Sequence, residues 1–521
     1  MSTSRPETPP MRRARMPARA EPGPSVPWEP FFRAIGQLDR AVNDLRRRAP
    51  EFSAATPLPV WQQIVILTAP GVLTAGLISL EGAGLFLWVL TLTLPFLAIT
   101  CIRVAAIWHV LRPRQRVDAS VYDHRFDDRL PTFSVLVPLY RERAVVPSLV
   151  KAMTRLDYPA SRLEILFITE ADDPMTRRAL QQAGLVANMR IVTVPEGQPR
   201  TKPRALNYAL KDARGMFVAV FDAEDVPDAN QLRCSAEAFI GGGPRLACVQ
   251  ARLAIYNADQ SFLSRQFALE YSALFSGLLP ALSYFRLPVP LGGTSNHFRR
   301  DLLLKCGGWD PFNVTEDADL GIRLARFGYE VSVIQSETLE EGPAFWRSWV
   351  GQRTRWIKGW MQTYLVHMRR PRRLWRDLGG RGFLGFQVII GGMILSILVH
   401  PWFYVLAIMH GFSDGALTPT SAFLGWVCGV DLVAGYGAAW MLTIVTAIRT
   451  GSPRRLLSAV WLPVYWLAIS YAAYRALLDF IRRPFHWEKT MHGASARHRA
   501  SRVERDRACA PVATGAAHRP K

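Results

Sequence analysis

The sequence predicts an α/β domain inserted between transmembrane helices, a multi-pass membrane protein, and three observations carry that prediction. Long apolar stretches stand on both sides of a polar middle in the 521-residue chain. Between Pro131 and Gly342, short β-branched-rich runs alternate with helical patterns. The polar clusters of that region follow the ends of those runs, where open parallel sheets bind ligands. Composition agrees: 49% of residues are hydrophobic, yet 63 Lys and Arg stand against 42 Asp and Glu, a formal charge of +21. That mixture suits a membrane protein whose water-facing parts meet an anionic cytoplasmic surface. Nucleic acid is excluded as the partner of this charge, because the cations are spread over tails and loops with no zinc-finger spacing or recognition motif. Six scattered Cys without C-x-x-C or Cys/His spacing indicate a reduced compartment and no structural zinc.

In chain order, residues 1–56 are rich in Arg and Pro, begin no apolar run before Val60, and are expected to be a disordered basic cytoplasmic tail rather than a cleavable signal. Phe31 to Arg48 could form a short amphipathic helix within it. Residues 57–111 hold two expected transmembrane helices, Trp61 to Leu80 and Leu85 to Trp108, each near the ~20 apolar residues a bilayer requires. Arg112, Arg114 and Arg116 follow the second, which places the N-terminus and the next domain in the cytoplasm. Residues 112–343 form the expected catalytic α/β domain, with strands at 133–137, 164–168, 190–194 and 216–221. Two mixed aromatic and basic stretches, Phe262 to Phe285 and Phe345 to Met368, suit helices lying at the headgroup level; the second falls in an amphipathic interface segment, residues 344–380. Residues 381–481 contain Leu384 to Met409, Ala422 to Ile448 and Leu456 to Ile481. The last raises a parity problem, since the basic tail after it, residues 482–521, belongs inside. Either that stretch is interfacial, as Pro463 and the Arg475/Asp479 pair allow, or an earlier long segment is a hairpin. Asp431 falls inside a predicted span, where a carboxylate faces a cavity or a partner; a pore contact and a structural hydrogen bond are the two readings.

The chemistry sits in short signatures. Asp222 and Glu224, two residues apart at a strand end, offer hard oxygen ligands for Mg²⁺ or Mn²⁺ on a diphosphate. Thr315-Glu316-Asp317 and Gln352-Arg353-Thr354-Arg355-Trp356 follow in order. Transfer of a sugar from a nucleotide needs the leaving diphosphate neutralised, the acceptor hydroxyl deprotonated and water kept away. Arg suits the first task because its planar fork matches phosphate oxygens.

With these motifs in this order, and apolar spans on both sides, the chain resembles a membrane-embedded family 2 glycosyltransferase with a GT-A (nucleotide-diphospho-sugar transferase) fold, related to bacterial cellulose and hyaluronan synthases. The resemblance runs from about Pro131 to Trp360 and includes Gly292-Gly-Thr-Ser-Asn-His297 and Gly307-Gly-Trp-Asp310, which resemble segments near that family's acceptor site. It implies that Asp317, beside Glu316, is the general base, that Gln352 and Arg355 hold the diphosphate, and that Trp356 offers a face to the acceptor sugar. It implies nucleotide contacts from Glu142, Glu170, Lys202 and Asp222, and a metal held by Asp222 and Glu224. The chain departs from the common pattern in two places. Glu170-Ala-Asp172-Asp173 replaces an Asp pair, so the uracil contact falls on Glu170 or Asp172; Glu224 stands where Asp is usual, with Asp225 an alternative ligand. Trp487, Lys489 and Thr490 match a mobile gating loop over the nucleotide, or else a juxtamembrane anchor. The activity expected is that of a metal-dependent inverting hexosyltransferase in a bacterial inner membrane. It would pass sugar from a UDP-sugar donor to a growing β-linked polysaccharide acceptor, processively and coupled to export, as in exopolysaccharide biosynthesis, with periplasmic or outer-membrane export partners. Single addition to a lipid or short acceptor is the alternative.

Overall fold

The computed structural model describes residues 28–79, 82–112, 124–412, 419–451 and 453–483. The four expected strands are present as β1 (Phe133–Leu139), β2 (Leu163–Glu170), β3 (Met189–Val194) and β4 (Phe217–Val220). They pair in parallel in the order β3-β2-β1-β4. Nearly every residue of β1, β2 and β4 is buried, as parallel strands covered on both faces require.

The sheet does not stop there. Four further strands, β5 (Val226–Pro227), β6 (Leu246–Ile255), β7 (Asn296–Arg299) and β8 (Glu330–Glu340), extend it to eight in the order β3-β2-β1-β4-β7-β6-β8-β5. β7 runs antiparallel to β4 and to β6, while β6 and β8 are parallel, so the sheet is mixed. Local pattern hides these strands. β7 is the polar run Asn-His-Phe-Arg, buried only because it is wedged between β4 and β6. The alternating polar and apolar β8 is half-buried.

The N-terminal segment corrects the expectation of a disordered tail for residues 28–56. Helix α1 (Trp28–Arg48) docks on the catalytic domain. Asn207 donates to the Ala41 carbonyl at 3.0 Å, and Gln37 donates to the Tyr208 carbonyl at 2.9 Å. The strap after it is held by Asp310, which accepts the Ala54 amide at 2.6 Å, and by Arg369, which donates to the Ser53 carbonyl at 2.8 Å. Gly307-Gly-Trp-Asp310 therefore anchors this strap. Gly308 has φ +67°, and a Cβ there would lie 2.4 Å from Asn207 Oδ1, so the turn requires glycine.

Helices α2 (Val60–Ser79) and α3 (Gly82–Leu111) follow the strap. α4 (Val146–Thr154), α5 (Pro174–Gln182), α6 (Lys202–Leu210) and α7 (Gln231–Gly241) cover the sheet. The stretch expected to be interfacial is α8 (Phe262–Ala273), a π turn at Leu274–Leu278, and α9 (Leu279–Tyr284). After the short α10 (Arg300–Lys305) come α11 (Glu316–Arg326), α12 (Trp346–His367), α13 (Pro371–Phe386), α14 (Met393–Phe412), α15 (Pro419–Arg449) and α16 (Leu462–Arg482). Among the described residues, four helical stretches are long and apolar enough to cross a membrane: Thr93–Leu111, Pro371–Val405, Gly425–Arg449 and Pro453–Arg482. Val60–Gly76 is apolar but shorter. α16 lies along α12: Trp349 donates to the Tyr465 hydroxyl at 3.2 Å, and Lys358 donates to Asp479 at 2.6 Å and to the Arg483 carbonyl at 3.0 Å.

Candidate active site

Beyond the C-terminal ends of β1, β2 and β4, a cleft of about 300 Å³ is lined by Glu142, Glu170, Lys202, Asp222, Glu224, Glu316, Asp317, Gln352, Arg355 and Trp356. Ten residues chosen from motifs spread over more than 200 positions thus face one space. Three backbone elements supply seven of them. The end of β4 carries Asp222 and Glu224; the first turn of α11 carries Glu316 and Asp317; α12 crosses the cleft with Gln352, Arg355 and Trp356.

Lys202, at the start of α6, reaches across to Asp222 Oδ1 at 2.5 Å and to the Gly293 carbonyl at 2.7 Å. Burial alone would lower its pKa, but Asp222, Glu316 and Asp317 carry it above the usual lysine value. Gly293 also lies close to the base candidate, since a Cβ on it would come 3.1 Å from Asp317 Oδ2. Asp317 Oδ1 accepts the Ala318 amide at 2.7 Å. Burial raises the Asp317 pKa, and Lys202 and Arg355 oppose the rise. Glu316 is pushed up to about 8 by burial and by the neighbouring Asp317 charge. Burial lowers the Arg355 pKa, against the pull of Glu316, Asp317 and Asp222. Those mutual effects place two cations among three carboxylates in one small site.

Thr315 stands at the N-cap position of α11, but its side chain makes no capping bond. It is instead covered by α12: a Cβ on Gly359 would lie 2.4 Å from Thr315 Oγ1. The bare glycine lets α12 press against the turn that bears Asp317. Trp356 stacks near Tyr271, ring centroids 6.3 Å apart, and the Arg353 guanidinium lies 4.9 Å from its centroid. Arg353 also makes a two-pronged pair with Glu270 of α8, one bond at 2.7 Å, and donates to the Tyr465 hydroxyl at 3.0 Å. The motif's first arginine thus fastens α12 to α8 and α16, and its second faces the cleft.

Two of the expected residues stand off the cleft wall. Asp225 turns inward, is 1% exposed, and accepts the Asp222 amide at 2.7 Å and the Thr294 hydroxyl. Both bonds fall on its Oδ2 and shape the turn, and Asp225 is not among the residues lining the cleft. Asp172 is taken by Arg200 at 2.7 Å, which leaves Glu170 as the acid of that loop facing the cleft. Trp487, Lys489 and Thr490 lie outside the described residues. The sequence reading missed Glu340 at the end of β8, which lines the cleft and whose pKa burial, Asp225, Asp222 and Glu224 drive upward. It also missed Arg204, which pairs with Glu170. Only the pairing of β8 beside β6 brings Glu340 here.

The donor set fits a divalent cation held jointly with a ligand. Among the described residues no group of three or more His, Cys, Asp or Glu is arranged to hold a metal. Asp222 and Glu224, both on the cleft wall, would supply two hard oxygen ligands to such a cation.

A second cavity of about 310 Å³ runs among α3, α12, α14, α15 and α16 and shares Tyr271, Leu274, Trp356 and Trp360 with the cleft. Its wall is apolar and aromatic but carries Arg103, Glu270, His400, Asp431 and Ser470. Asp431 is 4% exposed, and neither its Oδ1 nor Ser470 Oγ has a hydrogen-bond partner among the described residues.

A mixed α/β sheet with carboxylates, a lysine and an arginine converging at its strand ends suits chemistry on a sugar nucleotide. Residues 131–359 match the family described as Glycosyltransferase like family 2. A probable glycosyltransferase, YdaM, of Bacillus subtilis is 27% identical over 295 residues, 54% of this chain and 69% of that one. A beta-monoglucosyldiacylglycerol synthase of Nostoc is 29% identical over 252 residues, 47% of this chain and 52% of that one, so the chain spans about half of that relative. Among solved structures, a mannosyltransferase of Pyrobaculum calidifontis in complex with GDP-Man and Mn²⁺ aligns with 72% of this chain and 99% of its own, at 19% identity and TM-score 0.46.

Proposed function

We propose that this glycosyltransferase is an inverting enzyme that moves a hexose from a UDP-sugar onto a hydroxyl at the end of a β-linked saccharide, at the cytoplasmic face of a bacterial inner membrane. The convergence of Asp317, Asp222, Lys202 and Arg355 on one cleft carries the reading. Asp317 takes the proton of the acceptor hydroxyl as its oxygen attacks the anomeric carbon from the face opposite the diphosphate. The bond from that carbon to the diphosphate oxygen breaks, and configuration inverts. Arg355, Lys202 and Gln352 hold the departing diphosphate, where cations in a water-poor site stabilise developing charge strongly. A divalent cation on Asp222 and Glu224, when bound, would add Lewis-acid neutralisation of the same diphosphate. Trp356 supplies an apolar face for the acceptor ring.

The cavity behind Trp356 supports a saccharide acceptor. Ionisable and hydroxyl groups within a span bundle are costly unless they meet a polar partner, and Asp431, His400 and Ser470 around an aromatic wall suit sugar hydroxyls and ring faces. Processive synthesis coupled to export follows from this reading. Single addition to a lipid is the second reading, favoured by the aliphatic part of the cavity wall and by the lipid named for the Nostoc relative. Radiolabelled UDP-sugars incubated with purified protein, with Asp317→Asn as control, test the proposal. A polymer is expected, a single-sugar lipid product selects the second reading, and no transfer from any donor sinks both.

A further inference from the structure

Gln362 is 4% exposed and is not among the residues lining the cleft, yet both ends of its amide hold the loop that leads to Asp317. Its Oε1 accepts the Val314 amide at 3.0 Å, and its Nε2 donates to the Phe312 carbonyl at 3.2 Å. The next residue of α12, Thr363, accepts from Asn313 Nδ2 at 3.1 Å, while Asn313 Oδ1 accepts the Thr315 amide at 3.0 Å. One turn further on, the Arg326 guanidinium lies 3.3 Å from His367 Nδ1 and can only donate. The ring hydrogen therefore sits on Nε2 and is donated to Asp319 Oδ1 at 3.1 Å. Residues 312–319, with Glu316 and Asp317 among them, are thus stitched to the last turns of α12.

The same helix bears Arg355. Gln352, Arg355, Gly359 and Gln362 fall at the i, i+3, i+7 and i+10 spacing of one helix face. The N-terminal half of that stripe meets the cleft, and its C-terminal half meets the loop. We infer that Gln362 is a positioning residue for the base: its two-ended hold on Phe312 and Val314 sets Asp317 in register with Arg355, about two helical turns away on α12. The inference rests on the reading of Asp317 as the base of a sugar transfer. Three physical arguments support it. A primary amide offers an acceptor and a donor on separate atoms, so it grips the loop at two points and resists its rotation. An apolar side chain here would leave the buried Val314 N–H unpaired, a costly state that the loop can relieve only by shifting. Proton transfer to a base depends on position, and a displacement of about 1 Å can cost about 10²-fold in rate even when its cause lies away from the chemistry.

Kinetics of single and double variants of the full-length protein in detergent test this role. Gln362→Met is expected to lower kcat by about 10- to 100-fold, with donor KM and UDP affinity within about threefold of wild type. Combined with Asp317→Asn, the same substitution should change the residual rate by less than about threefold, because the group it positions is gone. Thr363→Val is a milder change that removes the acceptor of Asn313 and should lower kcat by about fivefold. That loss should likewise vanish on the Asp317→Asn background, so this variant carries the test if Gln362→Met does not fold. An unchanged kcat in the folded single variant overturns the role, as does a loss of equal size with and without the Asp317 carboxylate. A wild type that transfers no sugar removes the transferase reading, and this role with it.

Discussion

Lys202 and Asp222 form an ion pair in the floor of the cleft, with the lysine Nζ also 2.7 Å from the Gly293 carbonyl. The pair links the start of α6 to the end of β4 and to the glycine loop beside Asp317. Lys202→Met should leave the fold intact, because α6 is held by its buried apolar residues, yet lower kcat by about 10²-fold, the scale seen when one charge-stabilising donor is removed. Steady-state kinetics with a saturating donor measure it.

Asp317→Asn keeps the volume and removes the base. Turnover should fall by about 10²–10⁴-fold, with UDP affinity by calorimetry nearly unchanged. The base works only when deprotonated, and burial raises its pKa. Activity is therefore lost as pH falls through a value above the ordinary carboxylate range. The acid limb of the kcat/KM profile, in a buffer series, should lie above the ordinary aspartate range; a limb within or below that range would contradict the burial argument.

Gly359→Ala places a methyl 2.4 Å from Thr315 Oγ1. Helix backbone cannot absorb that, so α12 must move off the turn bearing Asp317. Overpacking of this kind costs about 1–3 kcal/mol, and kcat should drop more than KM changes. A thermal melt beside the kinetics separates the two effects.

Breaking the Arg353–Glu270 pair should loosen α12 from α8 and α16. The arginine side chain is 7% exposed and the glutamate 32%, so Arg353→Met is expected to cost about 3 kcal/mol, the low end for a buried pair because its glutamate is partly solvated. The melting temperature in detergent reports it. Donor hydrolysis at low temperature should persist, since Arg353 does not face the cleft.

Chelation should abolish transfer, and Mg²⁺ or Mn²⁺ should restore it. Glu224→Ala should raise the metal concentration needed for half-maximal activity by about tenfold, while Asp225→Asn should not change it. A strong metal effect of Asp225→Asn would return that residue to the ligand set.

The parallel half of the sheet was legible because β1 to β4 are continuous β-branched runs whose burial is a local property of the chain. Asp222, Asp317 and Arg355 were legible because their residue types and order match a family. β7 and β8 were not, since their polar residues are buried only by strands paired from elsewhere. Asp225 looked equivalent to Glu224, and nothing local shows that Thr294 and the Asp222 amide turn it inward.

By itself, then, the chain determined that apolar helices would flank an α/β domain and which short motifs would bear carboxylates and arginines, because hydrophobic period and residue chemistry are written locally. Tertiary structure alone decided the rest: that α12 presses on Thr315 through a bare Gly359, that Arg353 clamps while Arg355 serves the cleft, and that Arg204 stands behind Glu170. Each depends on the distance between segments far apart in sequence, and such distances are set by packing against neighbours that no local pattern names.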